Sequence, residues 1–173
     1  YDREELQIAN AVPTAEGALQ LAMEATDRTI HASRCLIIGY GRIGKLLARM
    51  LPALGARTAV SARRYSDLAW IEATGCRGLR TAALAGELGE FDLIFNTVPS
   101  LVLDGSRLRE TKADCVILEL ASAPGGVDFD AARALGRRAI RAPGLPGKVA
   151  PRSAAAAIRD SVYHILEERG EPI

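Results

Sequence analysis

Cys35-Leu36-Ile37-Ile38 is a continuous apolar run that breaks directly into Gly39-Tyr40-Gly41-Arg42-Ile43-Gly44. From within the loop onward, Ile43, Leu46, Leu47, Met50, Leu51 and Leu54 recur at helical spacing until Gly55, a usual C-terminal stop. A run apolar at every position suits a strand covered on both faces, as in a parallel sheet. The GxGxxG pattern alone is weak, because glycine is common. Set between a strand and a helix, in a βαβ unit of about thirty residues, it acquires mechanical content. Gly39 permits the tight turn, Gly41 lets the backbone approach a pyrophosphate, and Gly44 lets the helix pack closely on the strand. The N–H groups at the helix start then offer donors and a positive dipole end to phosphates.

The alternation continues along the chain. Further strands are expected at 58–62, 78–79, 93–96, 115–118 and 139–140. Helices are expected at 68–73, 81–88, within the polar stretch between the two strongest later strands, at 128–135, and at 153–168. The last of these aligns Ile158, Val162, Ile165 and Leu166. Ahead of the first strand, Pro13-Thr14 reads as the start of a helix over 14–26, with Thr14 as N-cap and Glu16 in the first turn. Its inward face is read as Ala15, Ala18, Leu19, Ala22 and Met23. Strand and helix alternating in this way predict an α/β fold of the Rossmann type: a doubly wound parallel sheet of about six strands with helices on both faces.

With 173 residues, 49% hydrophobic and 25% charged, the chain can bury one good-sized core, and 1–173 is read as one dinucleotide-binding domain. Lys plus Arg number 22 and Asp plus Glu 21, which gives no electrostatic reason to expect nucleic acid. No stretch reaches the ~20 apolar residues that cross a membrane, and no signal peptide is visible. Cys35, Cys76 and Cys115 show no CxxC or Cys/His metal spacing. They read as reduced structural thiols of a cytoplasmic protein, with no metal site. A chain opening on Tyr1 reads as a segment of a longer protein.

The cofactor is chosen further on. A domain that binds NAD usually carries Asp or Glu about 20 residues beyond the loop, accepting from the ribose hydroxyls. This chain has Ser61-Ala62-Arg63-Arg64 there, and no acid until Asp67. A carboxylate repels a 2′-phosphate, whereas Arg grips one with two charge-assisted hydrogen bonds. NADP(H) is therefore expected before NAD, with Ser61, Ala62, Arg63 and Arg64 around the 2′-phosphate; a solvated arginine pair is the alternative. Three loops follow the later strands: Asn96-Thr97-Val98-Pro99-Ser100, Ala121-Ser122-Ala123-Pro124-Gly125-Gly126, and Ala142-Pro143-Gly144-Leu145-Pro146-Gly147-Lys148. Each alone could be loop punctuation. Together, on one sheet edge beside a phosphate loop, they read as the rim of a cofactor and substrate site. Lys148, the only cation of the last loop, is a candidate anchor for an anionic substrate. No catalytic constellation is visible, since His31 precedes the first strand and His164 lies on the closing helix.

Asn10-Ala11-Val12-Pro13-Thr14-Ala15-Glu16-Gly17-Ala18, the glycine loop, Phe95-Asn96-Thr97-Val98-Pro99, the loop at 121–126 and Ala142-Pro143-Gly144-Leu145-Pro146-Gly147-Lys148-Val149-Ala150-Pro151 resemble the A subunit of dipicolinate synthase. The resemblance spans residues 10–165, and its last motif is the most specific. That motif also resembles a loop of alanine dehydrogenases, and the first helix and glycine loop resemble D-2-hydroxyacid dehydrogenases. The resemblance implies a cytoplasmic enzyme of spore-forming bacteria that oxidises dihydrodipicolinate to dipicolinate with an NADP-type acceptor. It further implies a flavoprotein-like second subunit. It also implies an N-terminal substrate domain lying outside this chain, so that the segment alone is not expected to be active. Carried over, Gly39, Gly41, Arg42 and Ile43 hold the pyrophosphate and Thr97, Val98 and Pro99 line the adenosine side. Ala121, Ser122, Pro143, Leu145 and Pro146 lie near the nicotinamide, and Lys148 faces the substrate's two carboxylates. Another dehydrogenase of the hydroxyacid or alanine type, and a non-catalytic NADP(H)-sensing module, stay open as alternatives. No Arg–Glu–His set favours the hydroxyacid version. The helix over 14–26 lies outside the alternation, where it can meet a second subunit or cover the sheet; a homo-oligomer is expected.

Overall fold

In the computed structural model, which describes residues 3–170, six strands lie side by side, every neighbouring pair parallel. They are β1 (Arg34–Ile38), β2 (Arg57–Ala62), β3 (Arg77–Arg80), β4 (Leu93–Asn96), β5 (Val116–Glu119) and β6 (Arg138–Arg141), in the order β3-β2-β1-β4-β5-β6. The chain leaves β1 to build one half of the sheet, then crosses back to β4 to build the other. The β1–β4 junction is thus the point where strand order reverses, and the crevice beyond the carboxyl ends of strands at such a point is where this architecture takes ligands.

The apolar runs have the expected cause. Cys35 and Ile37 point to one face of the sheet and Leu36 and Ile38 to the other, and all four are fully buried. On the first face pack α1 (Glu4–Ala25), α2 (Arg42–Ala53), α3 (Tyr65–Ala73) and α6 (Leu145–Val149), supplying Ala18, Ala22, Leu47, Leu51, Ile71 and Leu145. On the second lie α4 (Gly105–Glu110), α5 (Phe129–Ala134) and two 3₁₀ turns, supplying Leu84, Leu88, Leu108 and Ala132. The closing helix is α7 (Pro151–Glu168). The doubly wound α/β sheet is therefore as the sequence predicted.

Four details differ. Thr14 is not an N-cap: α1 starts ten residues earlier at Glu4 and runs through Pro13, while the Thr14 hydroxyl donates to the Asn10 carbonyl at 2.7 Å. Proline has no N–H to give residue 9, so this helix owes its continuity to docking rather than propensity. Gly17 sits so close to α6 that a Cβ there would lie 3.1 Å from Val149. Met23, placed on the inward face by periodicity, is 50% exposed. The segment 81–88 is not one helix, because Gly86 at φ +83° turns the chain between the 3₁₀ turns Thr81–Ala83 and Leu88–Glu90. On α7 the buried residues are Ala154 and Ser161, while Ile158 and Val162 of the predicted stripe are exposed.

Candidate functional site

Backbone register sets one row across the carboxyl ends of five strands: Ser61, Ile38, Asn96, Glu119 and Arg141. Just beyond Ile38 the chain turns at Gly39, whose φ of +102° favours glycine. The Gly39 N–H donates to the Ser61 carbonyl at 3.0 Å, anchoring the turn to the next strand. A Cβ on Gly44 would stand 2.2 Å from the Gly39 carbonyl oxygen, so α2 comes down on β1 as closely as backbone allows. Gly41 is the opposite case, since a Cβ there would meet nothing within 4 Å. Space beside Gly41 is therefore open, and Gly41 borders both cavities described next. Among the N–H groups of α2, that of Lys45 is the first to find an acceptor, the Gly41 carbonyl at 2.9 Å. The N–H groups of Arg42, Ile43 and Gly44 are left at the helix mouth without helical acceptors. This cradle fits a pyrophosphate.

Two cavities, of about 700 Å³ and about 440 Å³, meet at Gly41, Thr97 and Pro99. The larger is bounded by Gly39, Tyr40 and Gly41 below, by Ala62 at the end of β2 with Arg63 and Arg64 after it, and by Thr97, Val98 and Pro99 beyond β4. The smaller holds Arg42, Ile43, Ala121 and Ser122, with Asn10 and Thr14 contributed by α1. Thr97 ties the two together, its N–H and its hydroxyl both donating to the Ile38 carbonyl at 2.9 Å. Arg42 leans toward α1, 3.4 Å from the Glu4 carboxylate.

Several expected residues lie elsewhere. Ser61 is fully buried, its hydroxyl 3.3 Å from that of Thr81, so it supports the glycine turn from beneath and does not border the cavity. Pro143, Leu145, Pro146 and Lys148 border neither cavity. Gly144, at φ +68°, swings the chain into α6, where Leu145 is buried against Gly17 of α1 and Lys148 is exposed. Nearness in sequence to a strand end suggests a rim; within this chain the segment docks α6 onto α1.

Sequence reasoning misses Glu119, and it reads Asn96 as part of the rim where the structure buries it. Both are at the last position of their strands and almost wholly buried, at 3% and 0% exposure. The Glu119 carboxylate accepts from the Asn96 amide at 2.8 Å and from the Ala121, Gly126 and Val127 N–H groups at 3.1, 2.7 and 2.9 Å. A single buried carboxyl side chain thus holds the loops after β4 and β5. The available signal is a polar residue closing each of two apolar runs, Leu93-Ile94-Phe95-Asn96 and Val116-Ile117-Leu118-Glu119. Among the described residues no histidine borders either cavity. Burial pushes the Cys35 and Cys115 thiols up to about 12, so neither supplies a thiolate nucleophile near neutral pH.

A strand-turn-helix phosphate cradle at the reversal point of a six-stranded parallel sheet defines a dinucleotide-binding domain of the Rossmann type. No protein-family model matches the chain. The chain is 39% identical over 168 residues to the A subunit of dipicolinate synthase from Bacillus subtilis (strain 168), a match covering 97% of this chain and 57% of that protein. The crystal structure of the A chain of dipicolinate synthase from Bacillus subtilis superposes with a TM-score of 0.95 at 39% identity, over 97% of this chain and 56% of that one. Its counterpart from Bacillus halodurans gives 0.93 at 39% identity, over 95% and 57%. Across this segment the chain resembles the A subunits of dipicolinate synthase, and it spans a little over half the length of those relatives.

Proposed function

We propose that the chain is the NADP(H)-binding domain of the A subunit of a dipicolinate synthase, serving the oxidation of dihydrodipicolinate to dipicolinate during bacterial sporulation in the cytoplasm. The observation that carries the cofactor choice is Arg63. It stands just past the end of β2, on the wall of the larger cavity, where an NAD-binding domain usually places a carboxylate.

When bound, the nicotinamide supplies the acceptor for the hydride that the dihydropyridine gives up as its ring becomes aromatic. The residues of this chain bind and orient. The amides at the α2 mouth meet the pyrophosphate, and Arg63 meets the 2′-phosphate. Thr97, Val98 and Pro99 close the adenosine side, and Ala121 and Ser122 border the smaller cavity on the nicotinamide side. Ser61 acts from behind this wall. A base for the substrate's proton, an anchor for its two carboxylates, assembly into a homo-oligomer and a flavoprotein-like second subunit belong to the same reading at the level of the whole protein.

Full-length protein supplied with dihydrodipicolinate and NADP⁺ is expected to form dipicolinate and NADPH together. The absence of a histidine at either cavity favours a second reading, a module that binds NADP(H) without turning it over. Tight NADPH binding with no turnover by the full-length protein selects that module. Failure to bind either nicotinamide cofactor rejects both.

A further inference from the structure

Asp67 is the first carboxylate after β2, and it borders the same cavity as Arg63 and the glycine turn. A bare carboxylate at that wall repels a phosphate ester and accepts from ribose hydroxyls, which is the arrangement of an NAD site. Asp67 is not bare. Arg64 closes on it as a fork, Nε 2.9 Å from Oδ2 and Nη2 3.0 Å from Oδ1, so each carboxylate oxygen takes one guanidinium N–H. The arginine is the outer member of the pair: its side chain is 76% exposed and that of Asp67 18%. Asp67 also lies in the first turn of α3, where the helix dipole favours its charge. Arg63, immediately before the pair, has no ion pair or side-chain hydrogen bond among the described residues.

We propose that Arg64 and Asp67 together determine which dinucleotide this cavity takes, with Arg64 acting as a mask over Asp67 rather than as a second phosphate ligand. Masked, Asp67 contributes no uncompensated negative charge to the wall, and Arg63 is free to meet a 2′-phosphate. Unmasked, the same wall presents a carboxylate to a ribose diol. The inference rests on reading the larger cavity as the adenosine-phosphate site, and it revises the sequence-based expectation that both arginines grip the phosphate.

The two roles for Arg64 separate in a double-mutant cycle. Dissociation constants for NADPH and NADH are measured by titration on the whole chain, for the wild type and for R64A, R64Q, D67N and R64A/D67N. Both Arg64 variants are expected to weaken NADPH about tenfold or more, because the uncovered Asp67 carboxylate then repels the 2′-phosphate, with NADH unchanged or tighter. D67N alone is expected to leave NADPH within about threefold, because the masked carboxylate is already neutralised. The double variant is expected to recover most of the NADPH affinity that R64A loses, since no carboxylate then needs masking. NADPH losses in R64A/D67N as large as in R64A overturn the masking role and make Arg64 a direct phosphate ligand. Unchanged NADPH affinity in R64A and R64Q overturns it as well. A wild type that binds NADH as tightly as NADPH overturns the cavity reading and this inference together. A wild type that prefers NADPH while the losses simply add overturns the masking alone.

Discussion

The Glu119 carboxylate accepts the side-chain amide of Asn96 at 2.8 Å, joining the last residues of two adjacent strands beneath the rim of the site. The same amide donates to the Val98 carbonyl at 2.9 Å, and the other carboxylate oxygen takes the Gly126 and Val127 N–H groups. Loops that border the cavities are therefore shaped from below by two side chains that border neither cavity themselves. Gly126 shows how tightly the rim closes on them, since a Cβ there would lie 2.5 Å from the Asn96 amide nitrogen and 2.6 Å from the Val98 carbonyl oxygen.

Glu119→Gln keeps the shape and removes the charge, while exchanging one acceptor oxygen for a donor that faces other donors. Hydrogen bonds to a charged group are worth about 1.5–3 kcal/mol each, and a buried donor left unpaired costs about 1–3 kcal/mol. The variant is expected to be destabilised by at least about 2 kcal/mol in urea unfolding. Its affinity for NADPH is expected to fall as well, because the Thr97–Pro99 wall loosens. An unchanged unfolding midpoint would show that the loops hold themselves.

Gly41 and Gly44 predict opposite outcomes for the same substitution. Gly41→Ala places its methyl in open space, so the fold is expected to lose no more than about 1 kcal/mol, the difference between Gly and Ala at a helix N-cap. Dinucleotide binding is expected to collapse, because that space is the proposed place where pyrophosphate meets backbone. Gly44→Ala drives its methyl to 2.2 Å from the Gly39 carbonyl, which forces α2 off β1. There the expected loss is in stability, about 1–3 kcal/mol or more, and it appears with no ligand present. Thermal melting and NADPH titration on both variants check the contrast.

What can be read in advance divides along a physical line. β1, β4 and β5 are legible because burial on both faces demands apolar residues at every position, and the glycine turn because its backbone requirements are local. The starts of α1 and α6 escape local pattern for one reason. Their placement depends on how α1 docks against α2, α6 and α7, and no local pattern encodes that packing. The Glu119–Asn96 pair spans 23 residues and becomes meaningful only once β4 and β5 are neighbours. Ser61 does stand at the expected strand end, but whether its side chain points into the cavity or under it depends on the pleat of β2 against Thr81.

The buried thiols give a pH dependence with a definite sign. Burial moves Cys35 and Cys115 from an ordinary 9.0 to about 12 in the folded chain, and the unfolded chain returns them to the ordinary value. Across that interval the unfolded state releases protons that the folded state keeps. Their contribution to stability is therefore complete below about pH 8.5 and is lost as the pH rises toward 12. The urea midpoint is expected to be lower at about pH 10 than at about pH 8, and a Cys115→Ser variant tests whether that thiol contributes. Native protein near pH 8 is expected to resist a thiol reagent that labels all three cysteines in urea. Rapid labelling of the native chain would contradict the burial of β1 and of the residue before β5.

Arg63→Ala isolates the charge on which the proposed choice of cofactor rests. The guanidinium is exposed at the cavity wall and has no carboxylate partner among the described residues, so removing it leaves the fold without an orphaned anion. The loss of one charge-assisted contact to a phosphate, about 1.5–3 kcal/mol, corresponds to a roughly 10- to 100-fold weaker NADPH complex. NADH, which carries no 2′-phosphate, is expected to change by less than about threefold. Salt gives an independent check, because an exposed contact of this kind is screened. The preference of the wild type for NADPH should shrink as ionic strength rises, and that of Arg63→Ala should scarcely respond. Equal losses for the two cofactors would mean that Arg63 shapes the wall without reading the phosphate, and the NADP(H) assignment would fall.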